Sequence, residues 1–426
     1  MNKILVSLVL AAMTVTASAQ SGSSSPYSQY GFGDLADQGV GFNKGMNGVG
    51  IGMRLGNEIN PMNPASYSAV DSLSMLFDAG LSGQITHFKE NGTSLNVKNG
   101  GFDYVAGLFR VWKNVGVSFG MLPYSNIGFN YSSTETEKLG KDNISVYNTY
   151  EGNGGLNQLF IGAGWNIIKP LSVGFNVAYL WGDINKTIQT GTSSISNTLY
   201  KKYEASVSNY KIDFGLQYIQ PIGAADQLTV GATFSPGHNL KTDAVCRLIM
   251  SNSTVSRSDT TSFTAAEGFS LPTTYALGVG YRHGSTFRAG ADFHMQKWGS
   301  VEYPDFTGIA YVKQKGLLKD AYRFNAGAEW TPRIMSRKFL ERVRYRAGIG
   351  YATPYYYING QDGPKEFSAS LGFGIPIMNG WNNRSVLNIS GQYVRRSADG
   401  LISENTFRIN IGLTFNERWF AKWKVE

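Results

Sequence analysis

The sequence predicts an all-β protein: a transmembrane antiparallel β-barrel of about 14 strands, with an N-terminal hatch or plug in its lumen. Three observations predict this fold. The 426 residues include 51 Gly, 24 Tyr and 24 Phe, but only 16% are charged, which is typical of all-β proteins with many tight turns. Fourteen segments alternate between apolar and polar residues with a period of two. An export signal precedes them.

The composition also excludes several classes of protein. One Cys excludes a disulfide framework and a Cys-rich zinc site, and four scattered His favour neither a metal centre nor another cofactor. The formal charge is +8, but Lys and Arg are spread thinly, so we predict no nucleic-acid partner. Scattered surface cations instead suit outer-membrane lipid, in particular the phosphorylated lipopolysaccharide of the outer leaflet.

The first 19 residues have the form of a signal peptide. Lys3 gives a short positive start, residues 4–15 are mainly apolar, and residues 17–19 read Ala-Ser-Ala, a small-x-small cleavage site. The mature chain is therefore predicted to start at Gln20. No other segment approaches the roughly 18 consecutive apolar residues of a transmembrane helix. An exported chain of this kind is either soluble or a β-barrel of the cell outer membrane.

Residues 20–72 differ from the rest of the mature chain, because they are rich in Gly and show little alternation. We predict that they form a hatch inside a barrel made by residues 73–426. The alternative is a disordered leader. The hatch is favoured by apolar side chains that could be buried against an inner wall, namely Phe42, Met46, Val49, Ile51, Met53, Leu55 and Ile59.

Period-two alternation is clearest in three of the predicted strands. Odd positions are mostly apolar over residues 73–85, 171–181 and 407–415, so each strand has one apolar face. A soluble sandwich would give the same pattern. The membrane barrel is favoured because many inward positions are too polar for a packed core. Aromatic residues also lie near strand ends, and the strands exceed the usual length of about 5–6 residues.

The connections between strands also resemble those of outer-membrane barrels, which have short periplasmic turns and long extracellular loops. We predict long loops at 132–154, 190–197, 242–270, 298–317 and 353–364. The barrel must close, because an open edge in lipid would leave backbone groups unpaired. The fourteen strands are predicted to begin near residues 73, 102, 115, 155, 171, 198, 226, 271, 286, 318, 339, 365, 384 and 401.

A family resemblance is carried by short motifs and by the order of features. Asn63-Pro64-Ala65 follows the Gly-rich stretch and precedes the first strand, and Pro123 interrupts the third strand. With the signal peptide, the hatch and fourteen strands, the sequence resembles the FadL-type transporters of hydrophobic compounds. Residues 25–33 and 415–420 resemble the Bacteroidota branch of that family.

The resemblance implies passive uptake without an enzymatic step. A small hydrophobic molecule would enter from outside, pass a hatch that carries Asn63, Pro64 and Ala65, and leave sideways into the bilayer.

The lateral opening would lie at Pro123, Tyr124 and Gly128, because Pro donates no ladder hydrogen bond. The alternative is that Pro123 marks a bulge, which bends the strand without opening the wall.

A second function is compatible with the same family resemblance. Bacteroidota also use FadL-like barrels as structural or shuttle subunits of outer-membrane secretion and assembly complexes, for example in type IX secretion. Other outer-membrane proteins would then be the partners, and loops 242–270 and 298–317 would be docking surfaces.

Charged residues at inward positions of the strands are the remaining candidates. Arg323, Arg344 and Arg346, on neighbouring strands, could hold a carboxylate headgroup, and His294 shares their face. The alternative is a network of ion pairs and hydrogen bonds that joins the wall to the hatch.

One hydrolase pattern is rejected. Residues 116–120 match G-x-S-x-G, but they lie in unbroken strand alternation, whereas the hydrolase motif needs a strand, a sharp turn and a helix. Catalysis at Ser118 is therefore not predicted.

Overall fold

The computed structural model describes residues 22–72, 74–90, 92–139, 142–193, 197–252, 254–377 and 385–418. The predicted signal peptide lies outside these residues, as do the last two residues of the 415–420 motif. No helix within the described ranges is long and apolar enough to cross a membrane.

Within these residues, fourteen antiparallel strands form one closed barrel, as predicted. The last strand pairs with the first from Lys89↔Ser403 to Ser74↔Arg418, and this pairing closes the sheet into a barrel. The strands are β1 Ser74–Glu90, β2 Thr93–Trp112, β3 Val115–Leu139, β4 Asp142–Ile168, β5 Leu171–Thr192, β6 Asn197–Ile222, β7 Asp226–Ser235, β8 Thr274–His283, β9 Phe287–Gln296, β10 Ala321–Trp330, β11 Arg344–Ala352, β12 Lys365–Ile377, β13 Ser385–Ser397 and β14 Ser403–Arg418.

Shorter elements lie before the barrel and in its loops. The 3-10 helices are Pro26–Gln29, Pro64–Ala69 and Trp298–Ser300, and the α-helices are Gly41–Gly45 and Phe339–Arg342. The short strands are Asp34–Leu35, His238–Asn239, Ala244–Asn252, Arg257–Ala265, Ser270–Leu271, Tyr303–Phe306, Tyr311–Gln314, Tyr357–Ile358 and Gln361–Asp362.

The outer face of the barrel is an apolar belt bounded by aromatic rings. On β10, Tyr322 and Trp330 lie at the two ends with Phe324 between them, and on β8 the ends carry Tyr275 and Tyr281. All five side chains are exposed to the surroundings of the protein. Such girdles are typical of barrels at the two membrane interfaces. The protein is therefore a barrel of the outer membrane.

The connections at one end of the barrel are short and those at the other end are long. Residues 113–114, 169–170 and 223–225 join strands by tight turns, whereas residues 236–273 and 297–320 are long loops at the opposite end. The long loops mark the extracellular end.

One predicted loop is wrong. Over residues 132–154, β3 and β4 continue as one paired hairpin that reaches Leu139↔Asp142, so β4 begins at Asp142 and not near 155. Residues 242–270 do lie in a long connection, between β7 and β8, but they contain two strands, the first of which pairs with β6. β2 likewise begins at Thr93 and not near 102. The extensions of β2, β3 and β4 project beyond the apolar belt, so they lack the apolar face on which the prediction rested.

The wall is interrupted between β2 and β3. Their ladder runs from Trp112↔Val115 to Val105↔Met121 and ends there, while β3 stays paired with β4 up to Leu139. Residues 93–104 of β2 and 122–139 of β3 therefore face each other without a ladder. We call this opening the wall gap.

A bulge at the start of the wall gap reverses the faces of β3. The β3–β4 register shifts between Pro123 and Ser125. Before the shift Phe119 points outward, and after it Ile127 and Phe129 are buried. One extra residue in a strand moves every later side chain to the other face. The apolar side chains beyond Pro123 thus turn away from lipid and into the lumen.

Residues 22–72, here called the N-terminal segment, lie inside the barrel. Phe42, Met46, Val49, Ile51 and Ile59 are all at most 1% exposed. The wall approaches this segment very closely, and the closest positions are Gly. A Cβ would lie 2.4 Å from Pro64 C at Gly174, 2.1 Å from Ile51 O at Gly231 and 2.5 Å from Met46 C at Gly348. Only Gly allows such close backbone approach.

Candidate functional site

The Asn63-Pro64-Ala65 motif joins the N-terminal segment to the wall. Asn63 Nδ2 donates to Ile51 O (2.9 Å) and to Leu216 O of β6 (3.1 Å). Asn63 Oδ1 accepts from Ala65 N at 3.1 Å, which caps the 3-10 helix that begins at Pro64. The Asn side chain therefore satisfies backbone groups of both the segment and the barrel.

A group of five charged side chains, here called the arginine cluster, lies between the segment and the wall; all but the partly exposed Arg344 are buried. Glu329 of β10 accepts from Arg288 Nε at 2.7 Å and from Arg346 Nε at 2.6 Å. Glu58 of the N-terminal segment accepts from Arg288 Nη2 at 3.1 Å, from Arg346 Nη2 at 3.2 Å and from Arg344 Nη1. The Glu58 and Arg346 side chains are each 1% exposed.

The arginine cluster carries more positive than negative charge. Three guanidinium groups face two carboxylates, so Glu58 offsets charge that Glu329 alone would leave unpaired. The Phe42 ring lies 5.8 Å from the Arg288 guanidinium carbon, which adds a cation–π contact. The N-terminal segment therefore supplies both a carboxylate and a ring to the wall arginines.

The three arginines singled out from the sequence do not form one site. Arg344 and Arg346 do meet a carboxylate, but it belongs to the chain's own Glu58. Arg323 lies at the other end of β10, where it approaches Glu366 at 3.9 Å. The β10–β11 register explains the separation, because Arg323 pairs with Ala352 whereas Arg346 pairs with Glu329. Alternation predicts which face of the strand a side chain lies on, but not its position along the barrel axis relative to neighbouring strands.

Glu58 was missed by the sequence analysis. It is the only acidic residue between Asp37 and Asp71. A lone carboxylate in a Gly-rich segment that is predicted to lie opposite inward arginines would have been the signal.

A carboxylate and a tyrosine hydroxyl of the wall also hold the segment through hydrogen bonds. Asp292 Oδ2 accepts from Gly50 N at 2.6 Å and from Ile51 N at 2.9 Å. On the opposite wall, Tyr104 OH donates to Asp78 Oδ1 at 2.9 Å and accepts from Gly41 N at 2.7 Å. Buried backbone N–H groups of the segment thus find acceptors on the barrel.

Tyr104→Phe is expected to lower the free energy of unfolding by about 1–3 kcal/mol, because Gly41 N and Asp78 would both lose a buried partner. Urea unfolding in detergent micelles measures the change. Tyr275→Phe is the matched control, since that ring faces outward, and its effect is expected to stay within about 0.5 kcal/mol. Equal values for the two variants would contradict the role of Tyr104.

The wall gap is occupied by the N-terminal segment. Asp34 and Leu35 pair antiparallel with Asn126 and Ser125 of β3. The structure places the three candidate residues of the lateral opening along this contact. They meet the segment through Gln38 Nε2→Pro123 O (3.0 Å), Ala36 N→Tyr124 O (3.0 Å) and Gly128 N→Ser28 Oγ (3.1 Å).

A cavity of about 250 Å³ lies between the wall gap and the opposite wall. Arg396 bridges Asp34 and Glu366 there, at 2.9 Å to each. His294 also lines the cavity, and its Nε2 has no hydrogen-bond partner in the described part of the chain. The lining is both apolar and charged, and includes Leu122, Tyr124, Phe160, Leu271, Lys211, Asp213, Arg323 and Tyr355.

Extracellular loops and aromatic side chains cover the lumen at the extracellular end of the barrel. Trp298 is fully buried and packs against Phe32 of the N-terminal segment (5.5 Å) and Tyr355 (4.8 Å). The segment is therefore enclosed at the extracellular end as well as from the sides.

At the start of the same loop, a hydrogen bond from Lys297 to Asp320 raises the pKa of the Lys297 ammonium.

Ser118 of the G-x-S-x-G pattern is a structural residue of β3. It is fully buried and its Oγ donates to Gly107 O at 2.8 Å. The strand runs unbroken through it. The described ranges also contain no group of three His, Cys, Asp or Glu side chains that could hold a metal ion.

Comparison with known proteins identifies one family and one fold. The BamG family model matches residues 1–426. The structure is similar to the toluene transporter TbuX of Ralstonia pickettii, with 14% identity, a TM-score of 0.61, and coverage of 90% of this chain and 99% of that one. It is also similar to a FadL homologue of Pseudomonas aeruginosa (9% identity, TM-score 0.61, coverage 90% and 99%).

A third similar structure is the toluene transporter TodX of P. putida, with 12% identity, a TM-score of 0.59, and coverage of 91% of this chain and 100% of that one. Identities this low show a shared fold alone. A search of curated proteins finds no match to the sequence.

Proposed function

Because the chain belongs to the BamG family, we propose that it is a structural subunit of an outer-membrane protein assembly or secretion complex. The name of the family is compatible with such a role. The single observation that carries the proposal is the fixed position of the N-terminal segment in the lumen, where Glu58 is held by the buried Arg288 and Arg346 and by the partly buried Arg344. The barrel then anchors partners in the membrane.

The energetics of the arginine cluster favour a segment that stays in place. Removing one partner of a buried ion pair costs roughly 3–5 kcal/mol, because the remaining charge is left uncompensated. Withdrawing Glu58 would leave Arg344 without its carboxylate and would leave only Glu329 for Arg288 and Arg346. A transport cycle would meet this cost each time the segment moved.

The extracellular extensions offer surfaces for such partners. β3 to β6 continue beyond the apolar belt, and the strands Ala244–Asn252 and Arg257–Ala265 widen this sheet. Residues 257–262 are all exposed. The hairpin lies within the 242–270 region that the sequence analysis assigned to docking.

The experiment is a pull-down of the native protein in mild detergent, followed by mass spectrometry of both proteins and bound lipids. A stoichiometric complex with other outer-membrane proteins is the expected result. A monomer that carries fatty acids or other amphiphiles would overturn the proposal.

A second candidate function is passive uptake of small hydrophobic molecules, with lateral exit at the wall gap near Pro123. It is favoured by the cavity, which reaches Leu122 and Tyr124 beside the gap, and by the structural similarity to TbuX and TodX, which are toluene transporters. Residues 20–72 would then act as a hatch that rearranges. Proteoliposomes that take up toluene faster with this protein than with an unrelated barrel would support it.

A further inference from the structure

Beyond Met121, the edge of β3 that faces the wall gap has backbone groups without a strand partner in the described ranges. On the β2 side its ladder ends at Met121, although β3 continues for many residues beyond that point. In the ranges that the structure describes, the only strand that pairs with this edge above Met121 is Asp34–Leu35. Beyond this contact, Ser28 of the N-terminal segment bonds Gly128, and no strand of the described ranges pairs with the edge at Asn130 or Ser132.

Hydrogen bonds at Gly128 establish which backbone groups face the wall gap. Gly128 N donates to Ser28 Oγ and Gly128 O accepts from it, both at 3.1 Å. In an antiparallel strand the N–H and C=O of one residue point to the same side, and alternate residues share that side. The N–H and C=O of Asn130 and Ser132 therefore also point into the gap, and both residues are exposed.

The spacing of the backbone N–H and C=O groups along this edge indicates what kind of molecule can bind in the wall gap. Acyl chains supply no hydrogen-bond donors or acceptors, and a single side chain such as that of Ser28 serves only one residue. Another strand supplies N–H and C=O groups at the same two-residue repeat, and exposed edges take such strands readily. Asp34–Leu35 already binds this edge in that way, so its geometry accepts an added strand.

We propose that the wall gap is a strand-docking site, in which an extended segment of a partner outer-membrane protein adds to β3 at Asn130–Ser132, beyond the contact of Ser28 with Gly128. This inference rests on the proposed function, because it names where the partner of the complex binds. The partner strand would continue the line that Asp34–Leu35 begins on the same edge.

Site-specific photocrosslinking in intact cells tests the position of the partner. A benzophenone amino acid at Asn130 is expected to capture one discrete protein. Thr187 is the matched control, since Asn130 pairs with Glu151 and Glu151 with Thr187, which puts Thr187 in the same row and on the same face. Strands bind β5 on both sides, so no crosslink to that protein is expected from Thr187.

Asn130→Pro tests the hydrogen bond itself. Pro removes the N–H that points into the gap, and it is tolerated on an edge where that N–H does not serve the ladder. Recovery of the partner is expected to fall about five- to tenfold, as for the loss of one hydrogen bond or slightly more. Asn130→Ala keeps the N–H and is expected to bind like the original protein. Gel mobility before and after heating verifies that both barrels are folded.

The outcomes separate this inference from the proposed function. A complex that survives Asn130→Pro, with crosslinks from other faces only, would overturn strand docking while the subunit role stands. Lipid adducts alone at Asn130 would also overturn it. The absence of any protein complex would overturn both.

Discussion

Glu58→Gln is expected to lower the free energy of unfolding by about 3–5 kcal/mol, since the buried Arg288 and Arg346 would share the single remaining carboxylate of Glu329 and Arg344 would lose its partner. Gln keeps the shape and one hydrogen-bond acceptor but removes the charge. The N-terminal segment should also become accessible to protease in the folded barrel. Urea unfolding in detergent micelles and limited proteolysis measure the two effects.

Glu302→Gln is the matched control for this charge change. Glu302 approaches Lys313 at 3.8 Å and Lys315 at 3.9 Å, and its side chain is 35% exposed. Exposed pairs contribute about 0–1 kcal/mol, so little change is expected. Adding Arg344→Met to Glu58→Gln should recover part of the loss, because it removes one uncompensated charge. Similar small losses at Glu58 and Glu302 would show that the cluster does not hold the segment.

Gly231→Val is expected to displace the N-terminal segment and open the lumen to ions. A Cβ at this position would lie 2.1 Å from Ile51 O and 2.7 Å from Ile51 C. Both are backbone atoms, so the segment itself must move. Overpacking of this kind typically costs about 1–3 kcal/mol. Conductance of the purified protein in planar bilayers is expected to rise well above that of the original chain.

Gly83→Val is the control for the second substitution. Gly83 lies on β1, and a Cβ built there meets nothing within 4 Å, so the closed lumen should be unaffected. If Gly231→Val conducts no better than Gly83→Val, then the segment does not close the barrel at this point.

The barrel was predictable because strand alternation is a local property. Each outward Phe or Tyr is followed by an inward small or polar residue, as on β10 between Tyr322 and Trp330. The pattern fails where the surroundings are the same on both faces. Over residues 132–154 both faces of the hairpin lie beyond the bilayer, so Ser and Thr replace the apolar face and the strand resembles a loop.

The candidate site was predictable only in part. The inward faces of Arg344 and Arg346 follow from their position on β11. Their partner does not, since Arg346 and Glu58 are 288 residues apart in the sequence. The position of Pro123 predicted an irregularity in β3, but not that Asp34–Leu35 would bind the exposed edge.

The sequence by itself determined that the chain forms about fourteen membrane strands and which face of each strand meets lipid, because the alternation that carries both properties repeats every two residues. Only the tertiary structure decided which inward charges meet and what occupies the wall gap. Both depend on the register between neighbouring strands and on the path of the N-terminal segment through the lumen. No local sequence pattern predicts either of these.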